Sequence, residues 1–327
     1  MMPSSNMGSP TISVALATCD GARYLPALLD SLIAQRRPPI ELIACDDASK
    51  DGTTALLQSF AERAPFPVRI QGNPARLGVV ANFSRAMALC SGECIALADQ
   101  DDVWHADKLA RLSTVLSAPS ILAAFSDANV VDENLHGLGY GMWQRVRFTR
   151  NEQERMMRSR AFEVLLKHQV VTGATLAFKV SLRDTAMPVP PDWPHDAWLA
   201  IHAAARGGLL PIDETLIDYR QHADNIIGGR KKNLLGEVLA ALALDRTVWY
   251  REELARWQAL AERLALTGGA ESARPALEEK ISHLKARAGL PASRWQRLPG
   301  IWREIATGRY TRHARNWGSI AIDLLVR

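Results

Sequence analysis

Residues 96–104 read ALADQDDVW, an apolar run that ends abruptly in Asp99, Asp101 and Asp102. Three carboxylates within four positions repel one another, so their crowding asks for a counter-charge. The preceding stretch ECIALA (93–98) is expected to be a buried strand, which puts the acids at its carboxyl end. A solvated turn or a helix cap accounts for any single Asp, and Asp107 suits the start of a helix over 107–116. Neither accounts for the set. A calcium loop would continue with alternating oxygen ligands and a closing Glu, whereas Val103 and Trp104 follow. An Mg²⁺ or Mn²⁺ site shared with substrate phosphates needs only one or two carboxylates, because phosphate oxygens fill the remaining positions.

Working outward, apolar strands alternate with amphipathic helices. TISVALAT (11–18), PIELIACDD (39–47), PVRIQG (67–72) and ILAAFSD (121–127) read as strands. ARYLPALLDSLIAQ (22–35), TTALLQSFAER (53–63) and VVANFSRAMALC (79–90) read as helices, the first from Leu25, Leu28, Leu29, Leu32 and Ile33 at helical spacing. The pattern predicts an α/β fold, a mainly parallel sheet flanked by helices. Ligands bind such sheets beyond the carboxyl ends of the strands. There the sequence places Thr18 and Asp20, Asp46 and Asp47, and Asp99 to Asp102. CDDASKDGT (45–53) is not a phosphate-wrapping Gly-rich loop. Its acids suit ribose or base contacts, or a plain Asx turn. Beyond 128 the alternation weakens: AFEVLLKHQ (161–169) is expected to be helix, TGATLAFK (172–179) a turn and strand, 190–208 a Pro-rich loop running into a helix, and 214–225 a short strand with a polar loop.

The 327 residues allow one large domain with an appendage. At 47% hydrophobic and 23% charged, the composition is that of an ordinary globular protein rather than a disordered one. No apolar run reaches the ~18 residues of a membrane span. MMPSSNMGSP (1–10) is expected to be a flexible tail without a secretory signal. Cys19, Cys45, Cys90 and Cys94 form neither a disulfide framework nor a zinc pattern and are expected as reduced thiols in a cytoplasmic protein. After 230 a helical region is expected, with Leu235, Val238, Leu239, Leu242, Trp249, Leu254, Trp257, Leu260 and Leu264 at helical spacing. Residues 231–327 carry 17 Lys/Arg against 10 Asp/Glu, and Trp295, Trp302 and Trp317 are interleaved with arginines. That stretch suits an anionic membrane surface, giving peripheral attachment, or a nucleic acid, or else a solvated basic face on packing helices that form a homodimer.

Seven segments in order resemble the inverting glycosyltransferases of family 2, which have the GT-A fold. They are LATCDGARYLPALLDSLIAQ, ELIACDDASKDGT, RLGVVANFSRAM, SGECIALADQDDVWHADKL, TGATLAFK, PHDAWLA and YRQHADNIIG, running from about Thr11 to Gly229. DQDDVW, YRQHADNIIG and the closing GRYTRHARNWGSIAIDLLVR look most like bacterial rhamnosyltransferases of O-antigen and related surface polysaccharides. The resemblance implies a GT-A domain over 11–230 and a helical region over 231–327. It implies Asp99 and Asp101 as the DxD pair, with Asp101, Asp99 and His222 toward a Mn²⁺ or Mg²⁺ ion. Thr18, Asp20, Asp46, Asp47, Arg76, Asn82, Asp99 and Arg220 fall at nucleotide-binding positions, and Asp196 at that of the catalytic base. Two departures stand out. The first strand ends Thr-Cys-Asp where the family usually has Thr/Ser-Tyr-Asn, and Asp196 is flanked by His195 and Ala197.

The chemistry this implies is a single displacement at an anomeric carbon. The donor is a nucleotide sugar, dTDP-L-rhamnose by resemblance, the acceptor a glycan or lipid-linked saccharide, and no nucleic acid takes part. On the residues alone Asp196 also reads as a first-turn acid of its helix, His222 as a packing histidine, and Arg220 as a partner of Asp218 or Asp224. A transferase using another UDP- or dTDP-hexose and an inactive nucleotide-sugar binder fit the same spacing. A nucleotidyltransferase would want a Gly-rich basic loop where TCDGAR stands.

Overall fold

The computed structural model describes residues 9–222 and 246–326, which form two compact units: 9–159 with 170–222, and 160–169 with 246–326. The expected tail, the end of YRQHADNIIG, the boundary at 230 and the leucines of 235–242 lie outside the described residues, apart from Ser9 and Pro10 of the tail. Residues 160–169, inside the expected 11–230 domain, cluster with the second unit.

In the first unit the order is β1 (Ile12–Thr18), α1 (Leu25–Ile33), β2 (Glu41–Asp46), α2 (Thr53–Arg63), β3 (Val68–Gly72), α3 (Val79–Leu89) and β4 (Cys94–Asp99). Then come β5 (Val103–Trp104), α4 (Lys108–Leu116), β6 (Ala123–Val131), β7 (Gly137–Gly141), α5 (Met142–Arg145) and α6 (Arg150–Met157). After α7 (Ala161–Leu165), which belongs to the second unit, follow β8 (Leu176–Lys179), α8 (Val180–Ala186), α9 (His195–Ala205) and β9 (Leu209–Arg220). The strands make one sheet in the order β3-β2-β1-β4-β8-β6-β9-β5, with β7 on β6.

β1, β2 and β4 are buried almost throughout, as central strands covered on both faces are. They run parallel, with Thr18 level with Asp46 and Ala17 with Asp99, so the polar ends of three strands finish together. The parallel expectation holds from β3 to β4. Beyond β4 the sheet is mixed: β8 is antiparallel to β4 and β6, β9 is parallel to β6, and β5 is antiparallel to β9.

Several elements differ from the sequence reading. The short strand over 214–225 is a twelve-residue strand from Leu209 to Arg220. Pro211, Asp213 and Glu214 break its apolar run, and register shifts against β6 absorb the irregularity. The two-residue β5 and the Gly-rich, largely exposed β7 carry no periodicity to read. α6 is almost wholly polar and starts from a capping box in which Thr149 and Glu152 bond reciprocally.

The second unit holds α7, α10 (Arg246–Thr267), α11 (Arg274–Ala288), α12 (Arg294–Ala306), α13 (Arg309–His313) and α14 (Trp317–Leu325). Its helices bury Trp257, Leu260 and Leu264 as expected, while Trp249 is partly exposed. Its centre is polar. Asp323 accepts from Tyr250 and Tyr310 hydroxyls, each at 2.6 Å, and from Arg287 Nε at 2.7 Å. Arg297 donates to the carbonyls of Asp323 and Val326. The arginine-rich segment is therefore not an open basic face throughout: Arg287 and Arg297 are core residues. Among the described residues no helix is long and apolar enough to cross a membrane.

Candidate active site

The loops after β1, β2 and β3 are stitched by side chains. Asp46 Oδ1 accepts from Thr18 Oγ1 at 2.8 Å and Ser49 Oγ at 2.6 Å, locking the end of β2 to that of β1. Asp47 accepts from the Asn73 amide, Leu77 N–H and Gly78 N–H at 2.7–2.9 Å. Burial works against its charge. The Leu77, Asn73 and Gly78 hydrogen bonds, with the Arg76 guanidinium, outweigh that and hold its carboxyl below the usual range. Asn82, buried on α3, bridges Cys45 O at 2.9 Å and Asn73 Nδ2 at 2.9 Å. Asp46, Asp47 and Asn82 thus build the rim, whereas Asp20 and Arg76, an exposed ion pair, sit on it.

The acid loop joins this rim through Gln100, which the sequence reading did not single out. Its carboxamide accepts from Cys19 N–H at 2.8 Å and donates to Cys19 O at 3.0 Å. A Cβ on Gly21 would collide with that carboxamide, so a larger residue there would push Gln100 off Cys19. β5 then folds back on β9, Val103 opposite Asp218, and carries the loop to Arg220 and His222. Asp102 is fully buried and accepts from Arg220 N–H at 3.0 Å. Arg220, also buried, donates from Nε to Asp101 O at 2.7 Å and from Nη1 to Glu133 O at 2.6 Å. Two of its nitrogens therefore brace loops. Asp218 instead meets His105 Nε2 at 3.0 Å and Asn129 Nδ2 at 2.8 Å. His222 Nε2 lies 2.8 Å from Asp101 Oδ2. Tyr24, a second residue the sequence reading passed over, stacks on the His222 ring at 4.7 Å and lies under the Arg220 guanidinium at 4.7 Å.

Lys108, read only as a helix residue, is fully buried. Its ammonium donates to Ala174 O at 2.6 Å and sits 3.5 Å from the Trp104 ring centroid. Burial pulls it down, and the Asp102 and Asp99 charges oppose that. Burial, then the Asp101 and Asp196 charges, push Asp99 up to about 7 against the pull of Lys108. Asp102 is raised by burial and by Asp101 and Asp99.

Asp196, in the first turn of α9, lies beside the Gly173–Thr175 turn that receives Lys108, and its charge is among those that raise Asp99. Its Oδ1 accepts from Ala197 N–H at 2.7 Å. Its Oδ2 faces Gly173, where an added Cβ would stand 3.6 Å from it and 3.3 Å from His195 Nε2. His195 is buried against the Phe83 ring at 4.2 Å. The glycine of TGATLAFK lets the buried turn pack closely against both side chains.

Among the described residues no group of three or more His, Cys, Asp or Glu side chains is arranged to hold a metal unaided. The donor set nevertheless suits a hard dication that keeps positions for phosphate. One carboxylate and one imidazole, Asp101 and His222, are adjacent, with Asp99 two residues before Asp101 on the same loop.

The model of Glycosyl transferase family 2 matches residues 13–180. The chain spans 38–60% of the length of several curated relatives that it matches at 27–30% identity. It is 25% identical to a dTDP-rhamnosyl transferase, RfbG of Shigella flexneri, over 74% of this chain and 82% of the relative. Among solved structures it resembles TarS of S. aureus in complex with UDP-GlcNAc, with a TM-score of 0.57 and 15% identity, covering 96% of this chain and 81% of the other. A mannosyltransferase of Pyrobaculum calidifontis in complex with GDP-Man and Mn²⁺ gives a TM-score of 0.50 at 20% identity, covering 97% and 86%.

Proposed function

The chain belongs to glycosyl transferase family 2 and has the GT-A fold, and from that premise we propose that it moves L-rhamnose from dTDP-L-rhamnose, with inversion, onto a glycan or lipid-linked saccharide during surface polysaccharide synthesis. The observation that carries the reading is the turn at Gly173–Thr175, which receives the buried Lys108 ammonium at Ala174 O and lies against Asp196 Oδ2 at Gly173, so that Asp196 meets the elements that carry the acid loop. The rhamnosyl choice is supported by the similarity to RfbG over most of both chains.

In this reading the nucleoside rests on the rim of Thr18, Asp20, Asp46, Asp47 and Arg76, with Asn82 holding that rim in shape. Asp47, kept ionised by its three donors, orders the 73–78 loop. Asp101 and His222 would hold a Mn²⁺ or Mg²⁺ ion, with Asp99 beside them. When bound, such an ion offsets the charge of a diphosphate leaving group. Arg220 positions the acid loop from below. The acceptor hydroxyl is taken to meet the Asp196 carboxylate. Asp196 takes its proton as the oxygen bonds to the anomeric carbon and the bond to the diphosphate breaks on the opposite face. General-base help of this kind is worth roughly 10²–10⁴-fold.

The test is a screen of nucleotide sugars for donor hydrolysis and transfer, with and without Mn²⁺. Asp101→Asn is expected to weaken nucleoside diphosphate binding. Asp196→Asn is expected to keep that binding and lose turnover by roughly 10²–10⁴-fold. Retained turnover in Asp196→Asn would remove it as the base. A chain that binds no nucleoside diphosphate with either ion would end the transferase reading.

A further inference from the structure

The second unit carries an apolar face that the proposed chemistry does not use. On α12, Trp295, Leu298 and Trp302 are spaced by three and four residues and so share one side of the helix. They are 83%, 44% and 70% exposed. The opposite side, Arg297, Ile301 and Glu304, is buried. A surface of two exposed tryptophans and a leucine on one helix is more than scattered apolar exposure.

The charge that the segment 290–326 itself exposes has one sign. Between 290 and 326 the only acids are Glu304 and Asp323. Both are buried, one against His283 and Arg309, the other against Arg287 and two tyrosines. Arg294 and Arg303, by contrast, are exposed at the flanks of the Trp-Leu face. Folding has internalised every carboxylate of this segment and left cations outside. A second copy of the same face would bring arginine against arginine, so charge complementarity favours an anionic surface. Tryptophan prefers the boundary between lipid tails and headgroups, and arginine reaches the phosphates.

We propose that α12 lies in the plane of an anionic lipid surface, with Trp295, Leu298 and Trp302 inserted at the headgroup boundary and Arg294 and Arg303 on lipid phosphates. The test is co-sedimentation of the full chain with vesicles of phosphatidylcholine and phosphatidylglycerol in equal parts, against vesicles of phosphatidylcholine alone. Binding is expected to the anionic vesicles only and to fall steeply as salt rises. Trp295→Ser with Trp302→Ser is expected to lower the partition coefficient by about a hundredfold, roughly tenfold for each buried aromatic. Arg294→Glu with Arg303→Glu is expected to abolish the preference for anionic vesicles. Leu266→Ser, at an exposed leucine on a different helix, should leave binding unchanged. All five side chains are exposed, so unchanged helical circular dichroism checks that the fold survives. Equal binding to both vesicle types, or a tryptophan variant that binds like the native chain, would overturn the proposal. So would a chain that ignores vesicles and instead dimerises through Trp295 and Trp302. The assay reads lipid partition rather than sugar transfer, so its failure would leave the transferase reading standing.

Discussion

Asp47 shows how a single residue acquires its state from its neighbours. Its burial penalises the carboxylate, yet three donors and Arg76 hold it ionised. The four cysteines divide by the same logic. Burial pushes Cys90 up to about 12 and Cys94 to about 11, and it raises the fully buried Cys45 as well. Cys19 is raised too, by burial and then by Asp20, Asp47 and Asp46 against Arg76, but it stands part-exposed at the end of β1. Alkylation with iodoacetamide, followed by peptide mass spectrometry, is therefore expected to modify Cys19 first. A nucleoside diphosphate with Mn²⁺ should slow that modification. Labelling that the nucleotide leaves unchanged would place the donor elsewhere.

At the scale of elements, the turn at Gly173–Thr175 links strand, helix and site. Ala174 O receives the buried Lys108 ammonium, and Gly173 lies against Asp196 Oδ2 and His195 Nε2. Gly173→Ala places a methyl 3.3 Å from His195 Nε2, so the imidazole must yield by a few tenths of an ångström. Turnover is expected to fall by roughly ten- to a hundredfold, since small misplacements of reacting groups are costly, with nucleotide affinity held. Steady-state kinetics beside nucleotide titration would check this, and a parallel loss of both would show that the turn serves the fold alone.

At the scale of the whole molecule, the second unit is organised around a buried ionic centre rather than an apolar one alone. Asp323→Ala leaves Arg287, Tyr250 and Tyr310 without their shared acceptor. Stripping one partner from a buried charge pair costs about 3–5 kcal/mol. Denaturant unfolding should show a loss of that size, and a change below about 1 kcal/mol would mean that water replaces the carboxylate. The β1–β4 half of the sheet, α1 to α4 and the helical character of the second unit were legible in the sequence. So was the gathering of Asp46, Asp47 and Asp99 at one strand edge. Their signal is periodic burial, which every residue reports locally. β5 and β7 were not legible, being too short or too glycine-rich for a pattern. Nor was the division of labour among polar residues: that Arg220 braces carbonyls, that Gln100 clamps Cys19, and that Arg287 and Arg297 turn inward while Trp295 and Trp302 face out. The amino-acid sequence by itself determined which segments would be strand or helix and which ends would carry carboxylates. Only the tertiary structure decided which partner each polar group meets, because a side chain's hydrogen bonds and charge depend on distant strands brought beside it, and no local pattern records those arrivals.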